Sequence, residues 1–230
     1  MPSGTGPGEM RREFHDQLAG IHSDVGQMLR LTRSALQRST DAFLEDDVAA
    51  AEAVIFADAQ VDVLYATVER DAFTIVATQA PVARDLRLVV GSLRIAQEAE
   101  RCGDLISSIA RRTNTIDASA LNPQLRMLIH EMGAEGVRML DGAAKAYDVL
   151  DSIMADEVVE WDAVMNAHHV SLLQLLFDFE DVDNRSLVEL ALVARFFERI
   201  GDHAAVVAQR VRLIDQGRTL AYKPNDTDSA

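Results

Sequence analysis

Glu100-Arg101-Cys102-Gly103-Asp104 and, 98 positions later, Glu198-Arg199-Ile200-Gly201-Asp202-His203-Ala204 are one motif written twice. Both run on into helix-forming sequence, LISSIARR over residues 105–112 and HAAVVAQR over 203–210. The Glu and Asp of each copy stand at i and i+4, hence on one face of a helix. A glycine interrupts each copy, although glycine costs about 1 kcal/mol relative to alanine in a helix interior. Two such glycines at matched sites point to a close helix approach beside the carboxylates.

Outward from the motif, the rest of the chain also reads twice. Phe14, Leu18, Ile21, Val25, Met28, Thr32, Ala35, Ser39 and Ala42 step by four and three, the spacing of a long amphipathic helix. Glu45-Asp46-Asp47 ends that helix and caps the next. A second helix is expected from about Val48 to Gln79, stopped by Pro81, and a third over Val82 to Arg112. Thr113 to Pro123 is polar and turn-rich and reads as a linker. The four-three pattern then restarts with Leu121, Leu125, Leu128, Met132, Met139, Ala143, Ala146 and Leu150, at an offset of 107 from the first helix. A fifth helix over about Ala155 to Phe179, a turn at Glu180-Asp181-Val182-Asp183-Asn184 and a sixth helix over about Arg185 to Asp215 complete the repeat. The expectation is an all-α chain of two tandem three-helix bundles, residues 10–116 and 117–217, related by pseudo-twofold symmetry. Residues 1–9 and 218–230 read as a floppy extension and tail.

Hairpin geometry then assigns partners to the motif. In an antiparallel helix pair, residues equally far from the turn lie opposite each other. Asp62 with Glu100 and Asp58 with Asp104 share the midpoint 81, which is Pro81. Asn166 with Glu198 and Asp162 with Asp202 share the midpoint 182, inside the second turn. A rival register using Asp156 and Glu160 centres on Phe179, ahead of the turn residues, and is the poorer fit. Asp58, Asp62, Glu100 and Asp104 are therefore expected to face one another, as are Asp162, Glu198 and Asp202 with Asn166 as the fourth member. Packed helices lie about 8–10 Å apart, a gap that inward-reaching carboxylates can close around a cation. Clustered negative charges repel unless protonated or neutralised, and oxygen-rich sites suit hard cations. The bland counterpart is a solvated acidic stripe; duplication at mirrored positions weighs against it. With Asn166 in place of a carboxylate, the second group is expected to hold cations less tightly than the first.

Other residues near the motif invite plainer readings. His168, His169 and His203 lie near the second group, where a surface or core role is the commoner one, and they are left out of the ligand set. Cys102 suits a small buried position, Trp161 a helix interface, and Met127, Met132, Met139 and Met165 the core. Arg101 and Arg199 fit either pairing with neighbouring carboxylates or solvent.

Composition removes several function classes. With a formal net charge of −15, the chain lacks the basic footprint of a nucleic-acid binder, and direct binding to anionic lipid is disfavoured. No apolar run reaches membrane-spanning length. A single cysteine excludes an internal disulfide and suits a reducing compartment. Phosphate-binding glycine loops, a nucleophile elbow and the Glu-x-x-His pair of di-iron bundles are all absent from the sequence.

The pieces together resemble the PhoU family of phosphate-transport regulators over about residues 10–216. The resemblance rests on APVARDLR (80–87), ERCGD (100–104), ERIGDHA (198–204) and the Asp58, Asp62 pair. It implies two three-helix bundles and metal sites at Asp58, Asp62, Glu100 and Asp104 and at Asp162, Glu198 and Asp202. The cofactor it implies is a divalent or trivalent ion: iron, magnesium, manganese or zinc. It also implies a cytoplasmic homodimer without enzymatic activity, peripheral at the inner membrane through protein partners. Those partners are the ATP-binding subunit of a phosphate ABC transporter and a sensor histidine kinase, and the role is to hold the phosphate-starvation response off. The alternatives are a helical scaffold without stoichiometric metal and a metal-carboxylate bundle enzyme. Asn166 departs from the family pattern, where an acidic residue is expected, and Cys102 replaces a hydrophobic residue.

Overall fold

Proline and acidic caps decide where the helices of this chain stop and start. The computed structural model describes residues 7–177 and 183–217, with side chains from residue 11 onward, and among these there are six long helices and no strand. Helix α1 spans Pro7–Leu44; the second helix comes in two segments, α2 (Val48–Ala57) and α3 (Ala59–Gln79). Then follow α4 (Ala83–Ala110), α5 (Pro123–Val149), α6 (Ser152–Phe177) and α7 (Asn184–Gln216). Asp47 caps α2 by accepting from the Ala50 N–H at 2.9 Å, and Asp183 caps α7 by accepting from Arg185 and Ser186. Asn122 caps α5 at 2.7 Å with Pro123 in the first turn, where its missing N–H costs nothing. Ahead of Pro81, Ala80 closes α3 in the left-handed conformation at φ 43°, since proline denies the preceding residue a helical backbone.

Helices α1, α4, α7 and α5 pack in turn on one another to form the centre of the molecule. The α2–α3 pair covers α1 and α4 on one flank, and α6 covers α5 and α7 on the other. The pseudo-twofold therefore exchanges α1 with α5, α2–α3 with α6, and α4 with α7. The two repeats share one continuous core, including Val25, Leu36, Ile95, Ile106, Leu140, Phe197 and Val207. Close contacts seam the repeats together. A Cβ on Gly133 would lie 2.4 Å from Thr40 Cγ2, and one on Gly91 2.5 Å from Ile214 Cγ1. Polar ties span the same seam: Arg30 holds both oxygens of Asp148 at 3.0 and 2.9 Å, and Arg112 meets Glu189 at 2.8 Å. Tyr147 is fully buried, its hydroxyl 2.7 Å from Ser92 Oγ.

Five expectations change. Helix α1 begins at Pro7, so residues 7–9 are helical; residues 1–6 and 218–230, and Val182 at the second midpoint, lie outside the described residues. The second helix is interrupted at Asp58, whose carbonyl accepts from Val61 at 2.8 Å and Asp62 at 3.3 Å, a locally tightened turn. The 113–123 linker is no loose strap. It holds two short 3₁₀ turns, Arg111–Asn114 and Ala118–Ala120, and buries Thr113, Ile116, Ala118 and Leu121. Asp46, left-handed at φ 56°, anchors it by accepting from Ala118 and Ser119 at 2.7 and 3.0 Å. Met127 is exposed, whereas Met132, Met139 and Met165 are core residues as expected. The helix ends move by one to three residues: α4 begins at Ala83, α6 at Ser152 and α7 at Asn184.

Candidate metal centres

The α3–α4 face brings the first acidic group together. Asp58 and Glu100 are each half-buried, while Asp62 and Asp104 are exposed at the rim. Asp58 lies against Gly103: a Cβ there would come within 2.4 Å of Asp58 Oδ1. Ser107, one turn further along α4, donates to Asp58 Oδ2 at 2.8 Å. Burial lifts the Asp58 carboxyl above its usual range, and the charges of Asp62 and Asp104 add to the lift. Glu100 is raised by the same causes, burial first and then Asp104. Arg101, mostly exposed, approaches Glu100 at 3.7 Å and Asp104 at 3.9 Å, so it pairs loosely with its neighbours.

The α6–α7 face repeats the arrangement with different partners. Glu198 is 8% exposed, and Arg195, one turn earlier on α7, donates to its Oε1. Its other oxygen, Oε2, is buried without a hydrogen-bond partner, and so is Oδ1 of Asp162. Burial raises both carboxyls, with Asp202 the next cause for each. Gly201 again admits the neighbour: a Cβ there would meet Met165 Cγ at 3.0 Å and Asp162 Oδ1 at 3.4 Å. Asn166 donates its amide to Asp162 Oδ2 at 2.8 Å. Arg199 is exposed. The rival register is excluded, because Asp156 is engaged by Arg212 at 2.7 Å, far along α7 from Glu198.

Asp58 thus lies against α4 at Gly103 and Asp162 against α7 at Gly201, and the carboxylates of each group feel one another's charge. The side chains are splayed rather than gathered: among the described residues no three His, Cys, Asp or Glu side chains stand close enough to share one ion. The donors nonetheless fit a cation. Buried carboxylate oxygens without hydrogen bonds are costly, and Asp162 Oδ1 and Glu198 Oε2 are two of them in one group. Asp162, Glu198 and Asp202 would hold an ion there, and Asp58, Asp62, Glu100 and Asp104 in the first group. Bound, it would supply the positive charge that Arg195 and Arg101 now supply in part. Ser107, Arg195 and the donor role of Asn166 escaped sequence reasoning; their one-turn spacing from Asp104, Glu198 and Asp162 was the only available signal. Cys102 is fully buried, which pushes its thiol pKa far up and leaves it an inert core group. Trp161 packs at the α5–α6 interface beneath Arg138, whose guanidinium carbon is 3.9 Å from the ring centre.

Fold and site together define a class: a duplicated three-helix bundle carrying one carboxylate group per repeat. The PhoU domain model matches the chain twice, over residues 25–113 and 129–211. The chain is 34% identical over 206 residues to the phosphate-specific transport system accessory protein PhoU homolog 2 of Mycobacterium tuberculosis, covering 88% of this chain and 96% of that one. It is also 34% identical over 204 residues to PhoU homolog 1 of the same organism, with 88% and 92% covered. The crystal structure of PhoU from Pseudomonas aeruginosa superposes with a TM-score of 0.83 at 24% identity, over 89% of this chain and 100% of that one. The chain belongs to the PhoU family.

Proposed function

We propose that this chain is an accessory regulator of phosphate uptake, which acts by protein–protein contact and is held in its working shape by cations at the two carboxylate groups. In this reading it restrains the phosphate-starvation response in phosphate-replete cells, linking the ATP-binding subunit of a phosphate ABC transporter to a sensor histidine kinase. It does so as a cytoplasmic, non-enzymatic protein paired with a second copy of itself. The mycobacterial relatives, named as phosphate-specific transport accessory proteins, support the role over almost their full length. No helix among the described residues is long and apolar enough to cross a membrane, in keeping with a partner-borne link to it. Large apolar side chains stand in solvent on both flanks, Phe56 at 86% and Phe177 at 88% exposure, and such residues suit contact surfaces.

The single observation that carries the cation part is the pair of orphaned, buried carboxylate oxygens on Asp162 and Glu198. Neutralising the four carboxylates of the first group and the three of the second relieves repulsion between α3 and α4 and between α6 and α7. Replacing Glu100 by Gln together with Asp104 by Asn should lower bound metal and melting temperature; unchanged values would dismiss the structural ion. Deleting the gene should switch on phosphate-starvation genes in high phosphate, read by a promoter reporter. A silent reporter would dismiss the regulatory role.

A further inference from the structure

Trp161 has no aromatic counterpart in the first repeat, and the place it would fill there is a cavity. At the offset of 104 that relates α6 to α2–α3, Trp161 corresponds to Ala57. Its ring lies on α5: a Cβ on Gly142 would meet Trp161 Cζ3 at 2.6 Å, and Arg138 covers the ring face. At the offset of 107 that relates α5 to α1, Gly142 and Arg138 correspond to Ala35 and Leu31. Ala57, Ala35 and Leu31 line one cavity of about 310 Å³, together with Arg38, Asp58 and Val61. That volume is at the small end of ligand pockets, which are mostly apolar with a few placed polar groups. The second repeat shows what fills such a space: an indole ring packed on a neighbouring helix beneath a guanidinium. Charge then separates the two places. Lys145 pairs with Asp141 at 2.7 Å, whereas their counterparts are Arg38 and Ser34, so Arg38 has no matching carboxylate. Arg38 is exposed, and its Nε reaches only the Ser34 carbonyl, at 3.4 Å. Asp58, on the same wall, is an acceptor for an indole N–H. Phe56, next to Ala57 in the chain, adds apolar surface that stands 86% exposed.

We propose that this cavity is a recognition pocket for a tryptophan side chain of a partner protein, carried beside an acidic residue that meets Arg38. Tryptophan anchors in desolvated pockets dominate the energy of protein contacts, and an unpaired arginine at the mouth selects an acidic neighbour. This inference rests on the reading that the chain acts by protein–protein contact, and the experiment separates the two.

The test titrates the full chain with a capped pentapeptide that has tryptophan between acidic residues, and follows amide shifts by NMR. The amides of Ala35, Ala57 and Val61 should move saturably, and the same peptide with alanine for tryptophan should bind about tenfold more weakly or worse. Ala57→Trp fills the cavity from within and should abolish binding. Arg38→Glu, at an exposed position, should weaken the peptide by about tenfold with the melting temperature unchanged, so that lost binding is not lost folding. Shifts that miss these three amides, equal binding of the alanine peptide, or tighter binding of AMP at the same amides overturns the assignment. A phosphate-starvation promoter reporter separates this inference from the reading beneath it. Where deleting the gene switches the reporter on, the Arg38→Glu chain should leave it on several-fold above wild type. Full repression by that variant overturns the pocket and leaves the contact reading standing. A reporter that stays silent on deletion overturns both.

Discussion

Gly103 and Gly201 occupy the same place in the repeated motif, yet their replacement by alanine should act in opposite directions. Each substitution gains about 1 kcal/mol of helix propensity. At Gly103 the new methyl would lie 2.4 Å from Asp58 Oδ1, roughly 1 Å inside ordinary contact. Asp58 must swing away, and it then gives up the 2.8 Å bond from Ser107. A hydrogen bond to a charged group contributes about 1.5–3 kcal/mol, at the low end for a half-exposed carboxylate. Together with residual crowding, the net for Gly103→Ala is a loss of about 1 kcal/mol. At Gly201 the nearest atom is Met165 Cγ at 3.0 Å and Asp162 Oδ1 stands clear at 3.4 Å. Methionine adapts by rotation about three bonds, so most of the propensity gain survives and Gly201→Ala should stabilise by about 0.5–1 kcal/mol. For a chain of this length the gap of roughly 2 kcal/mol is about 4–8 °C in melting temperature. Urea unfolding of the metal-free proteins reads it directly, as opposite shifts in midpoint at constant slope. Equal shifts, or a greater loss at Gly201, would refute the claim that Asp58 is wedged against α4 through the missing side chain. First-group metal affinity should also fall in Gly103→Ala, while second-group affinity in Gly201→Ala changes little.

Three further outcomes follow from the same geometry. Asp58, Glu100, Asp162 and Glu198 all have raised pKa values, from burial first. A raised carboxyl stabilises the fold below its unfolded value near 4 and loses that contribution as pH rises through the folded value. The metal-free chain should therefore melt higher as pH falls from neutrality toward the ordinary carboxyl value near 4, and Glu198→Gln should flatten the rise. His169, pushed down by burial, opposes the trend around its ordinary value near 6.5, and the lowered caps Asp117 and Asp183 oppose it only below about 4. Melting curves across this range that are flat, or that fall on acidification, would contradict the assignment. Tyr147→Phe strands the buried Ser92 hydroxyl and should cost about 1–2 kcal/mol, largely recovered in the double variant with Ser92→Ala, a cycle measurable by urea unfolding. Asp46→Ala removes both bonds that anchor the 113–123 segment and should cost about 1–2 kcal/mol, with faster amide exchange at Ala118 and Ser119.

Long periodic segments explain why so much was legible early. Apolar residues spaced by four and three can bury only as helices, and Leu18, Ile21, Val25, Met28, Leu125, Met132 and Met139 are buried as that spacing requires. Pro81 marked the first hairpin turn, and mirrored distances from it placed Asp58 and Asp62 opposite Asp104 and Glu100 without any coordinates. The interruption at Asp58 was not legible, because it answers to Gly103 and Ser107 on another helix. The packing of the 113–123 segment was hidden for a similar reason: its anchor, Asp46, is more than seventy positions away.

The sequence by itself determined the helices, the duplication and the pairing of carboxylates, because periodicity, proline and charge spacing act locally or through simple hairpin symmetry. Only the tertiary structure decided which donors complete each group, because that depends on how each helix is rotated about its own axis against its neighbour. That rotation turns Asn166 onto Asp162, sets Arg195 on Glu198, and leaves two carboxylate oxygens buried and bare.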